Sequence, residues 1–172
     1  MIPNKYDTDG ECNKRGMDSS GMFSLIASAK GWKVTPSSQN EDINEHWDLL
    51  MEKGKYSIKV DVKGMKKINR KDDLTQDDWH WIELHGVREK DPGWLYGGKS
   101  EYIVFETKIS FILVERQKLI QLVSQEVDFS RVAYKPEDAP YAIYYRRREG
   151  HDKLTLIETK KLIGIKTDEW RK

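Results

Sequence analysis

The sequence of 172 residues contains one cysteine, Cys12. A single cysteine excludes an internal disulfide framework and a cysteine-rich zinc site, and it is typical of a reducing compartment. No apolar run approaches the ~20 residues that cross a bilayer, and the N-terminal stretch MIPNKYDTDGECNKRG lacks the apolar core of a signal peptide. We therefore expect no membrane partner and a cytoplasmic location, in the host cytoplasm if the source is a virus.

Charge of one sign is also scarce, because 30 basic and 29 acidic residues leave a formal net charge of +1. A net charge this small creates no overall positive potential that would indicate nucleic-acid binding, so such binding would depend on local basic patches. The length and the 37% of hydrophobic residues suit one domain with a single core. We expect one domain over 1–172, with core motifs in 18–115 and a C-terminal helix and strands in 116–172.

The first half of the chain predicts a helix, a strand and a hairpin. Residues 1–17 have no regular pattern, whereas 18–30 has a helical apolar stripe formed by Met22, Leu25, Ile26 and Ala29. A short strand over 32–35 ends at a proline, and 37–45 is an acidic loop or a single helical turn. Residues 46–63 predict a β-hairpin that turns at Lys53–Gly54.

The second half predicts strands around one further helix. The charged run 64–78 leaves the sheet, and 79–86 predicts the next strand. The segments EYIVFET and KISFILVE predict paired strands, and the spacing of Leu119, Leu122 and Val123 predicts an amphipathic helix over 115–127. Two more strands follow over 141–145 and 154–158. The pattern is that of an α/β protein with a mixed β-sheet flanked by helices.

The hairpin sorts its residues into two faces, because side chains alternate along a strand. A two-residue turn at Lys53–Gly54 places Asp48 opposite Lys59 and His46 opposite Asp61. One face then holds His46, Asp48, Lys59, Asp61 and Lys63, together with Leu50 and Ser57. The other face holds Trp47, Leu49, Met51, Ile58, Val60 and Val62. A slip of one residue would mix these faces, which supports this assignment.

In this register Asp48 and Asp61 are diagonal neighbours, ~7–8 Å apart at the backbone. Two carboxylates aimed at one point repel each other unless a cation lies between them. Oxygen ligands of this kind suit Mg²⁺ or Mn²⁺, and the nearby ammonium of Lys63 can stabilise a developing negative charge. The alternative is a solvated hairpin face whose charges form cross-strand ion pairs such as Asp48–Lys59.

In its context this stretch resembles the PD-(D/E)XK nuclease superfamily. Members have a helix, a strand, a carboxylate that opens the second strand, and a (D/E)-x-K triplet on the third strand after a tight turn. Here the carboxylate is Asp48 in HWDLL, and the triplet is Asp61–Lys63 in IKVDVKG. The segments WIELHG (81–86), GWLYG (93–97) and YIVFE (102–106) are also similar to phage-encoded members. Trp47 stands where the family name has a proline.

The resemblance implies a restriction-endonuclease-like core and a metal-dependent DNA nuclease. An endonuclease is favoured over an exonuclease because nothing in the sequence indicates a processive ring or ATP coupling. It implies that Asp48, Asp61 and the carbonyl of Val62 bind Mg²⁺ or Mn²⁺, and that Lys63 acts beside a metal-activated water. Many relatives form homodimers.

A third acidic ligand is not assigned by the pattern. Many members carry a glutamate on the first helix, and 18–30 has none. The candidates for this role are Asp18, Glu41, Asp42 and Glu45. His46 and Glu83 are further candidates at the site. His80 and His85 have opposite parity on their strand, which argues against a zinc pair.

Basic residues cluster beside the proposed site and define the expected DNA contacts, with a solvated surface as the alternative. They are Lys59, Lys66, Lys67, Arg70, Lys71, Arg146, Arg147 and Arg148. Trp94 and Tyr96 either stack on bases or pack against the core. The rival function is a nuclease-fold module with an incomplete site that binds nucleic acid or a protein.

Overall fold

A computed structural model describes residues 11–146 and 151–172, with side chains from residue 18 onward. Its elements are α1 (Glu11–Ala29), β1 (Lys33–Pro36), α2 (Gln39–Glu45), β2 (Leu49–Lys53), β3 (Tyr56–Lys63), β4 (Trp79–His85), α3 (Gly93–Gly97), β5 (Tyr102–Glu106), β6 (Ser110–Glu115), α4 (Arg116–Glu126), β7 (Asp128–Ala133), a 3₁₀ turn (Pro136–Asp138), β8 (Ala142–Tyr145), β9 (Lys153–Glu158), α5 (Thr159–Ile165) and β10 (Asp168–Arg171).

The strands form two sheets rather than the one sheet expected. The first has six strands in the order β1-β2-β3-β5-β6-β10, and the second has four in the order β4-β9-β8-β7. Each sheet is mixed, because β3 runs parallel to β5 and β7 runs parallel to β8. The protein is therefore an α/β protein with mixed sheets flanked by helices. Within the described residues, no helix is long and apolar enough to span a membrane.

The first helix differs from the prediction in its start and in its buried face. It begins at Glu11, so 11–17 is helical rather than irregular, and the first helix does contain a glutamate. Met22 and Leu25 are exposed, whereas Phe23 and Ala27 are buried. The predicted apolar stripe was wrong because the ring of Phe23 sets which face of the helix is buried. Phe23 stacks on Trp170 of β10, a strand that the sequence pattern did not reveal.

The hairpin keeps its predicted faces but changes its register. Its turn residues are Gly54 and Lys55, closed by the pair Lys53–Tyr56. Gly54 has φ +59 while Lys55 stays at negative φ, which is the arrangement of a type II′ turn with glycine at its first central position. The predicted turn at Lys53–Gly54 was wrong by one residue, since it placed the glycine second.

Two apolar cores lie on opposite faces of the first sheet. One lies under α1 and is built from Phe23, Ala27, Leu49, Met51, Val60, Val62, Val104, Phe111, Leu113 and Trp170. The other lies between the first sheet, the second sheet and α3–α5. Its buried members are Ile82, Leu84, Trp94, Leu95, Ile103, Phe105, Ile112, Val114, Leu119, Leu122, Val123, Val127, Ile143, Ile157 and Leu162.

The second core explains why the polar hairpin face is covered. Asp61 pairs with Ile103 and Lys63 pairs with Phe105 across the parallel ladder, so each pair shares one sheet face. That face is apolar over β5 and β6, where the second sheet packs, and polar over β2 and β3. The charged residues therefore lie at the rim of the core between the two sheets, and Asp61 is 3% exposed.

Some of the other helices and strands were predicted from their sequence patterns, and others were missed. Strands β5, β6, β8 and β9 and helix α4 were predicted, and the structure confirms them. Strand β7, helix α5 and strand β10 were missed. Five of the six residues of β7 are exposed, so its sequence has no alternation, and β10 has only four residues.

Gly64, directly after β3, provides a test of the packing that holds the end of this strand. A Cβ at Gly64 would lie 2.5 Å from Ser19 Oγ and 3.3 Å from Glu106 Oε2. Ser19 donates to Glu106 Oε2 at 2.5 Å, and the Met65 N–H donates to the same oxygen at 3.2 Å. We expect Gly64→Ala to lower the free energy of unfolding by about 1–3 kcal/mol in urea titrations, because the added methyl group would be too close to Ser19.

Gly21→Ala is the matched control, since Gly21 lies in α1 and a Cβ there meets nothing within 4 Å. Alanine in a helix interior is favoured over glycine by about 0.5–1 kcal/mol, so this variant should be slightly stabilised. Equal effects of the two substitutions would contradict the packing described for Gly64.

Candidate metal centre

Asp48 and Asp61 lie near each other where β2 begins beside β3, since the charge of Asp61 raises the pKa of Asp48. The ladder between the two strands ends at the pair Leu49–Val60, and the Asp48 N–H donates to the carbonyl of that same Val60 at 2.8 Å. The predicted Asp48–Lys59 pair was wrong, since Lys59 lies opposite Leu50. The shift of the turn by one residue moves the register by two, which leaves each paired side chain on its predicted face.

A hydrogen bond fixes Asp48 against the backbone of β3. Its Oδ2 accepts from the Val62 N–H at 2.7 Å. In an extended strand the N–H and the C=O of one residue point to the same edge, so the Val62 carbonyl is directed to the side where Asp48 lies. Asp48, Asp61 and this carbonyl thus present oxygens to one region where β2 begins.

Lys63 lies in the same group. Its Nζ is 2.7 Å from Asp61 Oδ2 and 4.6 Å from the ring centre of Trp94. Burial alone would lower the pKa of Lys63, but the charges of Asp61 and Asp48 outweigh it and raise that pKa. Lys63 is therefore an ammonium at neutral pH. It is suited to neutralising negative charge and not to accepting a proton.

The two carboxylates carry an electrostatic cost. Burial, followed by the negative charge of Asp61, raises the pKa of Asp48 to about 7. Asp61 Oδ2 is buried and lies 2.7 Å from Lys63 Nζ, its one partner among the described residues. A carboxylate oxygen keeps lone pairs beside such a contact and is a suitable ligand for a cation.

Asp42 on α2 is the third acid near this pair. Burial and the charge of Asp61 raise its pKa, and its own charge contributes to raising the pKa of Asp48. A capping box between Ser38 and Glu41 starts α2 and sets the direction of its side chains. Across 18–146 and 151–172, however, no three His, Cys, Asp or Glu side chains are arranged closely enough to hold a metal ion.

Two of the other candidates have partners of their own. Glu45 accepts from Trp47 Nε1 and from Lys59 Nζ, each at 2.9 Å. His46, with φ 52, ends α2 and places its Nε2 3.2 Å from Asp91 Oδ1.

Asp18 and Glu83 differ in their relation to the site. Asp18 is exposed on α1, and no contact of the described residues joins it to the carboxylate pair. Glu83 accepts from the Trp94 N–H at 3.2 Å, and its charge acts on Lys63. Of the additional candidates, Glu83 and Asp42 both interact electrostatically with Lys63.

The histidines of β4 differ in burial, and the ladder with β9 is irregular between Glu83 and His85, so strand parity does not carry through to His85. His80 is buried against Phe105, with 5.0 Å between ring centres, and burial lowers the pKa of His80 to about 4. His85 is half-buried, and its Nδ1 lies 2.8 Å from the Gly86 carbonyl.

The predicted DNA-contacting residues fall into two groups. Lys59 is engaged by Glu45 and lies 4.5 Å from the ring centre of Trp47. The others that the structure describes are exposed or half-buried around the loop after β3 and the end of β8, namely Lys66, Lys67, Arg70, Lys71 and Arg146. Arg147 and Arg148 lie outside the described residues.

Trp94 and Asp91 are site residues that the sequence did not assign. Trp94 is 7% exposed and packs in the core while covering Lys63, so packing rather than base stacking accounts for it. Asp91 binds His46 and also accepts from the Gly93 N–H at 3.0 Å. The DPG turn gave the only sequence signal, and it indicated a loop without showing what the loop touches.

No family model, curated protein or solved structure is significantly similar to this chain.

The raised pKa of Asp48 predicts how the stability of the metal-free protein changes with pH. A carboxyl whose pKa rises from 3.8 to about 7 on folding stabilises the folded state fully below pH 4. This contribution is lost as the pH rises to 7 and amounts to about 3–4 kcal/mol. We expect Asp48→Asn, whose amide oxygen still accepts from Val62, to be more stable than wild type at pH 8 and similar at pH 4, measured by urea unfolding in EDTA.

The comparison with the variant is needed because His80 acts in the opposite direction. Its pKa falls from 6.5 to about 4 on folding, so its contribution is lost as the pH falls through that window. Glu52→Gln is the carboxyl-to-amide control, since Glu52 is on the same hairpin in an exposed ion pair with Lys33. A constant difference between wild type and Asp48→Asn from pH 4 to 8 would contradict the raised pKa.

Proposed function

We propose that this protein is a metal-dependent DNA nuclease with a restriction-endonuclease-like core. The observation that carries the proposal is the group of Asp48, Asp61 and Lys63 at the ends of two paired strands. The order of α1, β1 and the hairpin β2–β3 supports the resemblance, because the first carboxylate directly precedes β2 and the triplet ends β3.

A divalent cation fits this group in its donor chemistry. Asp48, Asp61 and the Val62 carbonyl supply oxygen ligands, and Asp61 Oδ2 is a buried oxygen whose one partner among the described residues is Lys63. Three protein oxygens suit Mg²⁺ or Mn²⁺, since Mg²⁺ keeps several waters in its coordination shell. Asp42 is the further carboxylate nearest to this pair by its electrostatic effect. A bound divalent ion would supply Lewis-acid stabilisation and make water a better nucleophile at neutral pH.

The chain's own residues account for the remaining requirements of phosphodiester hydrolysis. Lys63 keeps its proton at neutral pH, so it stabilises the negative charge that develops on the phosphate. Asp61 and the ring of Trp94 hold the ammonium in place. Asp48 is oriented by the Val62 N–H, which leaves its second oxygen for binding.

The proposed substrate and mode of cutting rest on surface charge and on motifs of the sequence. We propose DNA because exposed cations of the loop after β3, such as Lys66 and Arg70, follow Lys63 in the chain and supply phosphate contacts. We propose endonucleolytic cutting because the sequence has no ATP-binding loop to drive processive movement. A homodimer would let two such sites cut both strands.

A binding module with an incomplete site is the second candidate. The observation that favours it is the lack, among the described residues, of three metal-ligating side chains in one cluster. The inward-facing residue of α1 nearest to the candidate site is Ser19, and its hydroxyl donates a hydrogen bond to Glu106. Such a module would bind DNA without cutting it.

A cleavage assay separates these two functions. Wild type should cut supercoiled, linear, branched or single-stranded DNA in Mg²⁺ or Mn²⁺ and should be inactive in EDTA. Asp61→Asn removes an anionic ligand while keeping the shape, and we expect activity to fall at least about a hundredfold. Lys63→Met should lose about 10²–10³ in rate, as for other groups that stabilise charge in the transition state.

Glu52→Gln again serves as the control and should cut like wild type, because its ion pair is on the exposed part of the hairpin. Circular dichroism would verify that each variant is folded. Retained DNA binding with no cleavage on any substrate would reject the nuclease and favour the binding module.

A further inference from the structure

Three aromatic side chains cover the outer face of the second sheet next to the candidate metal centre. Residues of β4 alternate between buried and half-buried, so Trp79, Trp81 and Glu83 share the outer side. Trp81 lies 5.2 Å from Tyr144 of β8, and Trp79 lies 5.7 Å from Tyr141, which packs against the second core, between ring centres. We call Trp79, Trp81 and Tyr144 the aromatic platform. All three rings are half-buried and so present part of their surface to solvent.

The platform is continuous with the proposed site. Glu83, whose charge acts on Lys63, is followed outward along the same face by Trp81 and then Trp79, with about 7 Å between successive positions. A small cleft of about 10 Å³ connects the two regions. Its lining residues are Lys63, Gly64, Lys66, Trp79, His80 and Trp81.

Backbone contacts hold the tryptophans in place. Trp81 Nε1 donates to the Lys67 carbonyl at 3.1 Å. Gln76 accepts from the Trp79 N–H and donates to the Trp79 carbonyl, each at 2.8 Å. The loop after β3 is thus tied to β4, and its cations are placed along the edge of the rings.

The charges around the platform suit a polyanion. Arg70 and Arg146 are exposed, and both act electrostatically on Tyr144. The acids that also act on Tyr144 are Asp152, which is buried, and Glu137. Exposed guanidinium groups beside aromatic faces are the combination that binds single strands, in which bases stack while cations contact the phosphates.

We propose that the aromatic platform binds unpaired nucleotides of the DNA substrate, so that the protein acts on single-stranded or branched DNA in preference to continuous duplex. This inference rests on the proposed nuclease function only where it calls the bound DNA a substrate. Binding of unpaired nucleotides by the platform does not depend on that function. Bases of a duplex are already stacked on each other, so only an unpaired base can offer its face to Trp81 or Tyr144.

The depth of the metal centre favours the same class of substrate. The side chains of Asp61 and Lys63 are 5% and 21% exposed. Trp94 covers Lys63 from the side of α3. A phosphate carried by a single strand approaches such a recessed group more readily than one in a duplex, whose second strand adds bulk at the same point.

Binding is tested in EDTA, where cleavage does not interfere. Fluorescence anisotropy would compare labelled oligo(dT), a flap substrate and a duplex of the same length. Wild type should bind the first two more tightly than the duplex. Trp81→Leu keeps apolar cover over the sheet but removes the aromatic face, and we expect it to weaken oligo(dT) binding about tenfold while duplex binding stays the same.

Three further variants separate stacking from folding and from charge. Trp81→Phe retains an aromatic face and should bind like wild type, which shows that loss in Trp81→Leu is not general disruption. Arg70→Ala should reduce the slope of log affinity against log salt by about 0.7. Tyr56→Ala is the matched control, because Tyr56 is 61% exposed beside Lys55 at the far tip of the hairpin.

The result distinguishes this inference from the nuclease itself. Unchanged oligo(dT) binding in Trp81→Leu, or tighter binding of duplex than of oligo(dT), would overturn the platform as a base-binding surface. Cleavage that depends on Asp61 would stand in that case. Conversely, platform-dependent binding without cleavage in Mg²⁺ or Mn²⁺ would reject the nuclease and retain the platform.

Discussion

The repulsion between two neighbouring carboxylates, Asp48 and Asp61, decides how the candidate site of this protein is built. Both lie at the rim of the core, where water screens their charges poorly. Lys63 offsets part of that repulsion, yet the pKa of Asp48 still rises to about 7. Apolar residues at this place would avoid that cost, and under the proposed function a bound cation offsets it.

The position of this group follows from how the two sheets are layered. One face of the first sheet is apolar over β5 and β6, where the second sheet and α3–α5 cover it, and polar over β2 and β3. The boundary between these halves puts Asp61 beside Ile103 and Lys63 beside Phe105. The same boundary brings the outer face of β4 to the site, so Glu83 and the aromatic platform extend the surface that we propose to bind a nucleic-acid strand.

The sequence predicted the parts of the site that depend on alternation along a strand. The two faces of the hairpin were identified correctly because a register error of two residues leaves every side chain on its own face. The pairing itself was missed, since it depends on whether Gly54 is the first or second residue of the turn. The role of Asp42 was open for a related reason: α2 carries several acids, and only its docking shows which one approaches Asp61.

Long-range packing decided what local patterns left open. The helix face around Phe23 follows from its stack on Trp170, which lies 147 positions later in the chain. The division into two sheets depends on β9 pairing with β4, which no local pattern in 79–86 indicates. The aromatic platform needs that same pairing, because Trp81 and Tyr144 belong to distant segments that meet in the second sheet.

The most direct measurement is anomalous diffraction from crystals soaked in Mn²⁺. We predict an anomalous peak between the carboxylates of Asp48 and Asp61, within coordination distance of the Val62 carbonyl, and no such peak in crystals of Asp61→Asn. A Mn²⁺ peak elsewhere on the protein, or none between these carboxylates in wild type, would contradict the proposal that Asp48 and Asp61 form a metal centre.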